Sequence, residues 1–282
     1  MKTAITEFEG PEKKLEIILS SPQPGLRDND DGRWDRVVRA SQSFIISKKT
    51  TEELDAYLLS ESSLFVWEDA VLMITCGQTT LINALPEILK VLDKDNIAFV
   101  FYERKNFIFP DEQPSNFEED AARMLEFFPG KSYRLGPANH DHLHVFYWAR
   151  PGAVPEPDAT LQMLMNDLNP SVMEIFSEKK IGTAEQAGDQ SGLHRLYPRN
   201  SLFPKSDRGK RIHIVSDSYL FSPYGYSLNG ILSGTHYFTV HVTPQPRSSY
   251  ASFETNIIES DYSGIIKDVI AIFQPKTFSL VM

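Results

Sequence analysis

Cys76 is the chain's single cysteine, and it stands in Thr75-Cys76-Gly77-Gln78-Thr79-Thr80, between an apolar run and the start of a helical pattern. A thiol just ahead of a helix N-terminus feels the positive end of the dipole, which favours the thiolate. Free cysteine is also among the most buried residue types, so an inert core residue is the competing reading. Upstream, Leu59-Ser60-Glu61-Ser62-Ser63 sets polar residues between two apolar runs. A hairpin turn using serines for local backbone hydrogen bonds accounts for it. A reactive serine is the alternative, although no Gly-x-Ser-x-Gly elbow or Ser-x-x-Lys signature supports hydrolase chemistry there.

Other groups are weaker or denser. His140, His142 and His144 alternate, so on a strand they would share one face, as a metal site or as an exposed strand face beside a loop. Asp28-Asn29-Asp30-Asp31-Gly32 superficially resembles a calcium loop, but no glutamate follows at the twelfth position, which makes it solvated loop. The densest stretch is Phe221-Ser222-Pro223-Tyr224-Gly225-Tyr226-Ser227-Leu228-Asn229-Gly230, followed by His241-Val242-Thr243-Pro244 and by Tyr250 to Asn256. Glycines, aromatics, a serine and a histidine converge there on a strand-turn-strand unit. A hairpin explains the glycines but not the polar and aromatic side chains beside them.

The elements that must position these residues follow from periodicity. Residues 15–19, 43–46, 64–67, 71–75, 97–102, 143–148, 236–242 and 250–255 read as strands. Residues 80–92, behind a Thr79/Thr80 cap, and residues 117–128 and 265–273 carry helical spacing. Consecutive strands favour an antiparallel α+β architecture over a doubly wound sheet. Residues 20–33 and 181–207 read as surface loops, and neither is an interdomain linker. With 28 Lys and Arg against 38 Asp and Glu, the net charge of −10 argues against a broad nucleic-acid surface. One cysteine excludes an intrachain disulfide and a multi-thiolate zinc site. No apolar run approaches the roughly 18 residues of a membrane span, and the first residues carry no secretory h-region. A cytoplasmic globular protein is expected, with no metal, nucleic acid or membrane partner.

Phe8-Glu9-Gly10-Pro11-Glu12, Leu59 to Ser63, Thr75 to Gly77, Arg104-Lys105-Asn106-Phe107, Gly225 to Gly230 and Ser249 to Asn256 together resemble the eukaryotic-type S-adenosylmethionine decarboxylase proenzymes. The resemblance runs in order over nearly the whole chain. It implies a single domain over residues 1–282, folded as a four-layer αββα sandwich of two antiparallel sheets with helices outside. It also implies self-cleavage between Glu61 and Ser62 into a small chain, 1–61, and a large chain, 62–282. Ser62 would become a covalent pyruvoyl group, the electron sink that pyridoxal phosphate supplies in other decarboxylases. Ser227, His241 and Glu12 match residues that assist processing, and Cys76 matches the proton donor, with a thiol pKa expected near or somewhat below about 8.5. Phe8 and Phe221 match rings that sandwich the adenine, and Leu59 and Glu61 lie beside the substrate.

Three departures stand out. Gln245 falls where the family has a ribose-binding glutamate; an amide offers one acceptor and one donor, a weakening of about 1–2 kcal/mol. That keeps another amino acid, such as ornithine or arginine, in view as substrate. The diamine effector pocket is matched by Glu16, Phe101, Asp158, Thr160 and Glu254, but Gln162 replaces a glutamate and Ile74 a lysine. Weak or absent putrescine activation is the expectation. The chain is also short for the family, so the second sheet is expected to be unfinished, with an edge prone to association. A homodimer, or a role as the non-catalytic activating partner of a longer paralogue, stays open. Retention of Ser62, Cys76, Ser227 and His241 argues against the latter.

Overall fold

The alternation that starts at Leu15 lies inside an eight-stranded antiparallel sheet. The structure, a computed structural model, describes residues 8–153, 159–197 and 213–282. Contacts divide the chain into two units, one of Pro11–Lys48 and Glu53–Pro157, the other of Met1–Gly10, Lys49–Glu52 and Asp158–Met282. The first contains β1 (Glu12–Leu19), α1 (Arg33–Ala40), β2 (Ile45–Thr50, whose last two residues belong to the second unit), β3 (Asp55–Leu59), β4 (Ser62–Val66) and β5 (Ala70–Cys76). It continues with α2 (Leu85–Val91), β6 (Ile97–Lys105), α3 (Phe117–Leu125), β7 (Lys131–Leu135) and β8 (Leu143–Ala149). Its strand order is β2-β3-β4-β5-β1-β6-β8-β7. Leu15, Ile17, Leu64, Val66, Val71, Met73, Val100 and Tyr102 turn one face toward α1, α2 and α3, whose Trp34, Ile88 and Met124 complete the core. By alternation, Glu12, Lys14, Glu16, Ile74, Cys76, Phe101 and Glu103 belong to the opposite face.

The second unit holds β9 (Leu161–Asn166), α4 (Pro170–Met173), α5 (Ala184–Ser191), β10 (Ile214–Leu220), β11 (Tyr226–Leu232), β12 (His236–Thr243), β13 (Tyr250–Thr255), α6 (Ser263–Phe273) and β14 (Thr277–Val281). Its six strands run in the order β10-β11-β12-β13-β9-β14, all antiparallel. Met163, Leu228, Val240 and Phe253 face α4, α5 and α6 through Val172, Ala187 and Val269. The other face carries Ser227, Asn229, Thr239, His241, Ser252, Glu254 and Gln162. The expected α+β class, with helices on one face of each antiparallel sheet, is what the chain adopts. No helix among the described residues is long and apolar enough to cross a membrane.

Several expectations need correction. The helix expected over 80–92 is broken: Thr80 makes no side-chain cap, Leu81–Ala84 is a 3-10 turn, and α2 begins only at Leu85. The segment 181–207 is not all loop. Thr183 caps α5 by accepting from the Gln186 N–H, and Gly192 ends it at φ 93°; the residues from 198 lie outside the described ones. β3 and β9 are not among the expected strands; like β11 they are buried along nearly their whole length, Ser227 and Asn229 of β11 included. Of the three histidines only His144 lies in a strand; His140 and His142 precede it, with His142 Nδ1 2.7 Å from the His140 carbonyl.

One ion pair ties α3 to the sheet. Asp120 Oδ2 accepts from Arg104 Nη1 and from the Tyr102 hydroxyl, each at 2.6 Å, and Oδ1 accepts from Ser115 Oγ at 2.6 Å. Arg104 and Asp120 are both buried. Asp120→Ala would leave the guanidinium charged without its counterion, a loss of about 3–5 kcal/mol expected in urea unfolding.

Candidate active site

The site begins at a two-residue turn. β3 and β4 pair from Asp55–Val66 down to Leu59–Ser62, so Ser60 and Glu61 form the connection and Ser62 and Ser63 are already strand. The serines at 62 and 63 are therefore not turn residues. Ser62 has φ 129°, a value side chains rarely adopt, in a strand where it is 1% exposed. Such backbone costs on the order of 1–3 kcal/mol and persists only where surroundings enforce it. The enforcing contact is visible: the Glu61 carbonyl accepts from the Cys76 N–H at 3.0 Å and from Cys76 Sγ at 3.5 Å. The peptide that precedes Ser62 is thus held by its oxygen, beside the only thiol.

β1 completes this group. Its register sets Glu12 opposite Cys76 and Lys14 opposite Ile74. Burial pushes the Cys76 thiol well up, with Glu61 and Glu12 adding to the rise and Lys13 opposing it. The expected helix dipole has no part in this, because the 3-10 turn separates Cys76 from α2. A thiol held this way stays protonated through neutral pH, the state a proton donor needs. Burial likewise raises the Glu61 carboxyl to about 7, against the pull of Lys13.

The second unit gathers the remaining residues. Ser227 pairs directly with His241 across β11 and β12. Thr239 Oγ1 donates to Asn229 Oδ1 at 2.8 Å and lies 3.1 Å from His241 Nε2. With its proton committed to Asn229, Thr239 accepts from Nε2–H, which leaves Nδ1 as the basic nitrogen, 3.5 Å from Ser252 Oγ. Gln245 Oε1 accepts from the Tyr224 hydroxyl at 3.2 Å, so the amide keeps its NH₂ as the donor side. Phe221 follows β10, with Tyr219 edge-on at 4.9 Å, and its N–H donates to the Gly225 carbonyl. Phe8 is 38% exposed. The segment bearing it comes so close to β12 and β13 that a Cβ at Gly10 would lie 2.7 Å from the Tyr250 ring and 2.8 Å from Thr243 Oγ1.

Of the effector residues, Glu16 and Phe101 are cross-strand partners in the first unit. In the second, Gln162 Nε2 donates to Glu254 at 3.1 Å, and Tyr237 donates to its other oxygen at 2.5 Å. Thr160 precedes β9, and Asp158 lies outside the described residues. In the first unit, position 14 brings a cation to the face of Glu16 and Phe101: Lys14 Nζ stands 5.8 Å over the Phe101 ring. The sequence pattern passed over Lys13, Lys14 and Thr239, and singled out the stretch holding Tyr224 and Asn229 without giving either residue a role. The signal for the lysines was a charged triplet, Glu12-Lys13-Lys14, opening a strand whose remaining residues are apolar but for Glu16. Among the described residues no group of three or more His, Cys, Asp or Glu could hold a metal.

Two measurements follow from the junction itself. In unprocessed protein, Ser62→Gly should be about 1 kcal/mol more stable than Ser62→Ala, because only glycine relaxes at this φ; equal urea midpoints would deny the strain. The Glu61 carboxyl ionises near 4.5 when unfolded and about 7 here, so its protonated form stabilises the fold below about 4.5 and that stability is lost as pH rises through 7. In a Ser62→Ala background, stability should fall by up to about 3 kcal/mol over that window, and Glu61→Gln should flatten the fall.

Comparison with known proteins places this geometry. The sequence model of the family described as adenosylmethionine decarboxylase matches residues 5–282. The S-adenosylmethionine decarboxylase proenzyme of Xenopus laevis is 36% identical, covering 96% of this chain and 81% of the relative. That of Leishmania donovani is 35% identical, covering 98% and 72%. The crystal structure of the Trypanosoma brucei AdoMetDC-delta26 monomer superposes with a TM-score of 0.57 at 27% identity, covering 77% of this chain and 78% of that one. The chain belongs to the adenosylmethionine decarboxylase family.

Proposed function

We propose that this protein is a self-processing decarboxylase of S-adenosylmethionine, yielding the aminopropyl donor for spermidine and spermine synthesis. The observation that carries this is the Glu61–Ser62 peptide, with its positive φ and its carbonyl oxygen on the Cys76 N–H. Ser62 Oγ adds to the Glu61 carbonyl carbon, and the C–N bond breaks as the nitrogen takes up a proton. The Cys76 N–H already points at the oxygen on which negative charge develops. His241, basic at Nδ1, then takes the α-proton of residue 62, and Glu61 leaves as a carboxylate. Water displaces ammonia at the new N-terminus to give the pyruvoyl group. Burial of Ser62 favours this outcome over simple hydrolysis of the ester, because it excludes bulk water.

The pyruvoyl group supplies the electron sink for decarboxylation. The chain's own residues do the rest. Cys76, kept protonated by burial and by Glu61 and Glu12, delivers a proton to the substrate Cα. Phe8 and Phe221 stack on the adenine, worth about 1–3 kcal/mol per contact. Gln245, oriented by Tyr224, meets one ribose hydroxyl as donor. The diamine response is weak or absent in this reading. Gln162 already donates to Glu254, and Lys14 sets a resident cation on the same strand face as Glu16.

Purified protein should run on a denaturing gel as fragments spanning residues 1–61 and 62–282. The mixture should release labelled carbon dioxide from carboxyl-labelled S-adenosylmethionine in preference to ornithine or arginine, with turnover essentially unchanged by putrescine. Ser62→Ala should abolish cleavage and activity together. Cys76→Ala should still cleave yet lose most turnover. Uncleaved wild-type protein would reject the reading, and a several-fold rise with putrescine would reject its diamine part.

A further inference from the structure

Lys13 is a buried cation to which the reading above gives no task. It is 1% exposed, in a strand whose next residues are core. Its ammonium donates to the carbonyls of Gly77 at 3.0 Å and Thr79 at 2.9 Å, and to Gln113 Oε1 at 3.0 Å, and it lies 4.8 Å over the Phe107 ring. The two carbonyls belong to the bend that leaves Cys76. That bend needs positive φ at Gly77, 63°, and is closed by Thr79 Oγ1, which donates to the Cys76 carbonyl and meets Thr75 Oγ1, both at 2.9 Å. Phe107, from the Arg-Lys-Asn-Phe segment, meets two cations, since Arg104 also lies 5.2 Å from the centre of the same ring.

We infer that Lys13 is the positioning residue of the reaction: it clamps the Gly77–Thr79 bend so that the Cys76 N–H and thiol meet the Glu61 carbonyl. A buried lysine spent only on packing would be replaced without penalty by an apolar side chain of similar length. Here its acceptors include two carbonyls of the bend that sets the thiol's direction, so removing it frees that bend. Its charge also opposes the effect of burial on Glu61, and those of burial and two carboxylates on Cys76. The charged groups that act on the thiol are Glu12, which shares its sheet face, Glu61 from the turn before β4, and Lys13, whose ammonium lies by the bend on the other side of β1. The inference rests on Cys76 and Ser62 acting as proposed above, and its test is chosen to be read without cleavage.

The single cysteine makes that test direct. In uncleaved Ser62→Ala protein labelled at cysteine Cβ with carbon-13, one resonance reports the site, and it should titrate with Glu61 near pH 7. Adding Lys13→Met should move that inflection up by about one unit. In otherwise wild-type protein, Lys13→Met should slow cleavage and lower kcat, each by about tenfold, with little change in KM. Lys13→Arg keeps the charge with a different donor geometry; it should hold the inflection while still slowing cleavage. Gln113→Leu removes a side-chain acceptor outside the bend, keeps the lysine, and guards against a folding artefact; it should leave both readouts close to wild type. An unmoved inflection with normal cleavage in Lys13→Met overturns the inference. If wild-type protein does not cleave at all, the decarboxylase reading fails, while the resonance still decides whether Lys13 governs Cys76.

Discussion

The Glu61 carbonyl oxygen is the point on which the site depends. It takes the last N–H of β5 and faces the thiol of the same residue. A strand that enters this pairing straight from a two-residue turn has no room to relax its first φ, and the strain falls on Ser62. Carbonyl polarisation, backbone strain and a protonated thiol therefore meet at one peptide bond. Each comes from ordinary sheet geometry, with the turn length and register as the specific choices.

The same economy explains how both sheets divide their faces. Each gives one face of aliphatic and aromatic side chains to its helices. The other face can then carry groups that a core would exclude: Glu12, Lys14, Glu16 and Cys76 in one unit, Ser227, His241, Ser252 and Glu254 in the other. Apart from the half-buried Glu16 these groups are buried, so their hydrogen bonds are the condition of their presence. The Gln162–Glu254–Tyr237 set and the Asn229–Thr239–His241 set meet that condition within the second sheet.

Much of this was legible in the sequence, though unevenly. Alternation located β1, β5, β6 and β12, and α6 showed its apolar face. β3 (DAYLL) and β9 (LQMLMN) carry too few polar residues for a clear alternation, and α5 is too polar to show a stripe. Ser62, Cys76, Ser227 and His241 were picked out by motif resemblance, since spacing alone favoured a turn serine and an inert core thiol. The helix-dipole argument for Cys76 failed because a propensity reading cannot tell a 3-10 turn from an α-helix at residues 81–84. Lys13 went unremarked because its partners are backbone carbonyls 64 and 66 residues away, which no local pattern records.

The central claim is that Ser62 is turned into the cofactor by the geometry around Glu61. Intact mass of the 62–282 chain tests it most directly. The account predicts a mass lower by one ammonia than that of the same chain beginning with serine, the signature of a pyruvoyl end. A large chain that begins with unmodified Ser62, or a chain never cut, would contradict it.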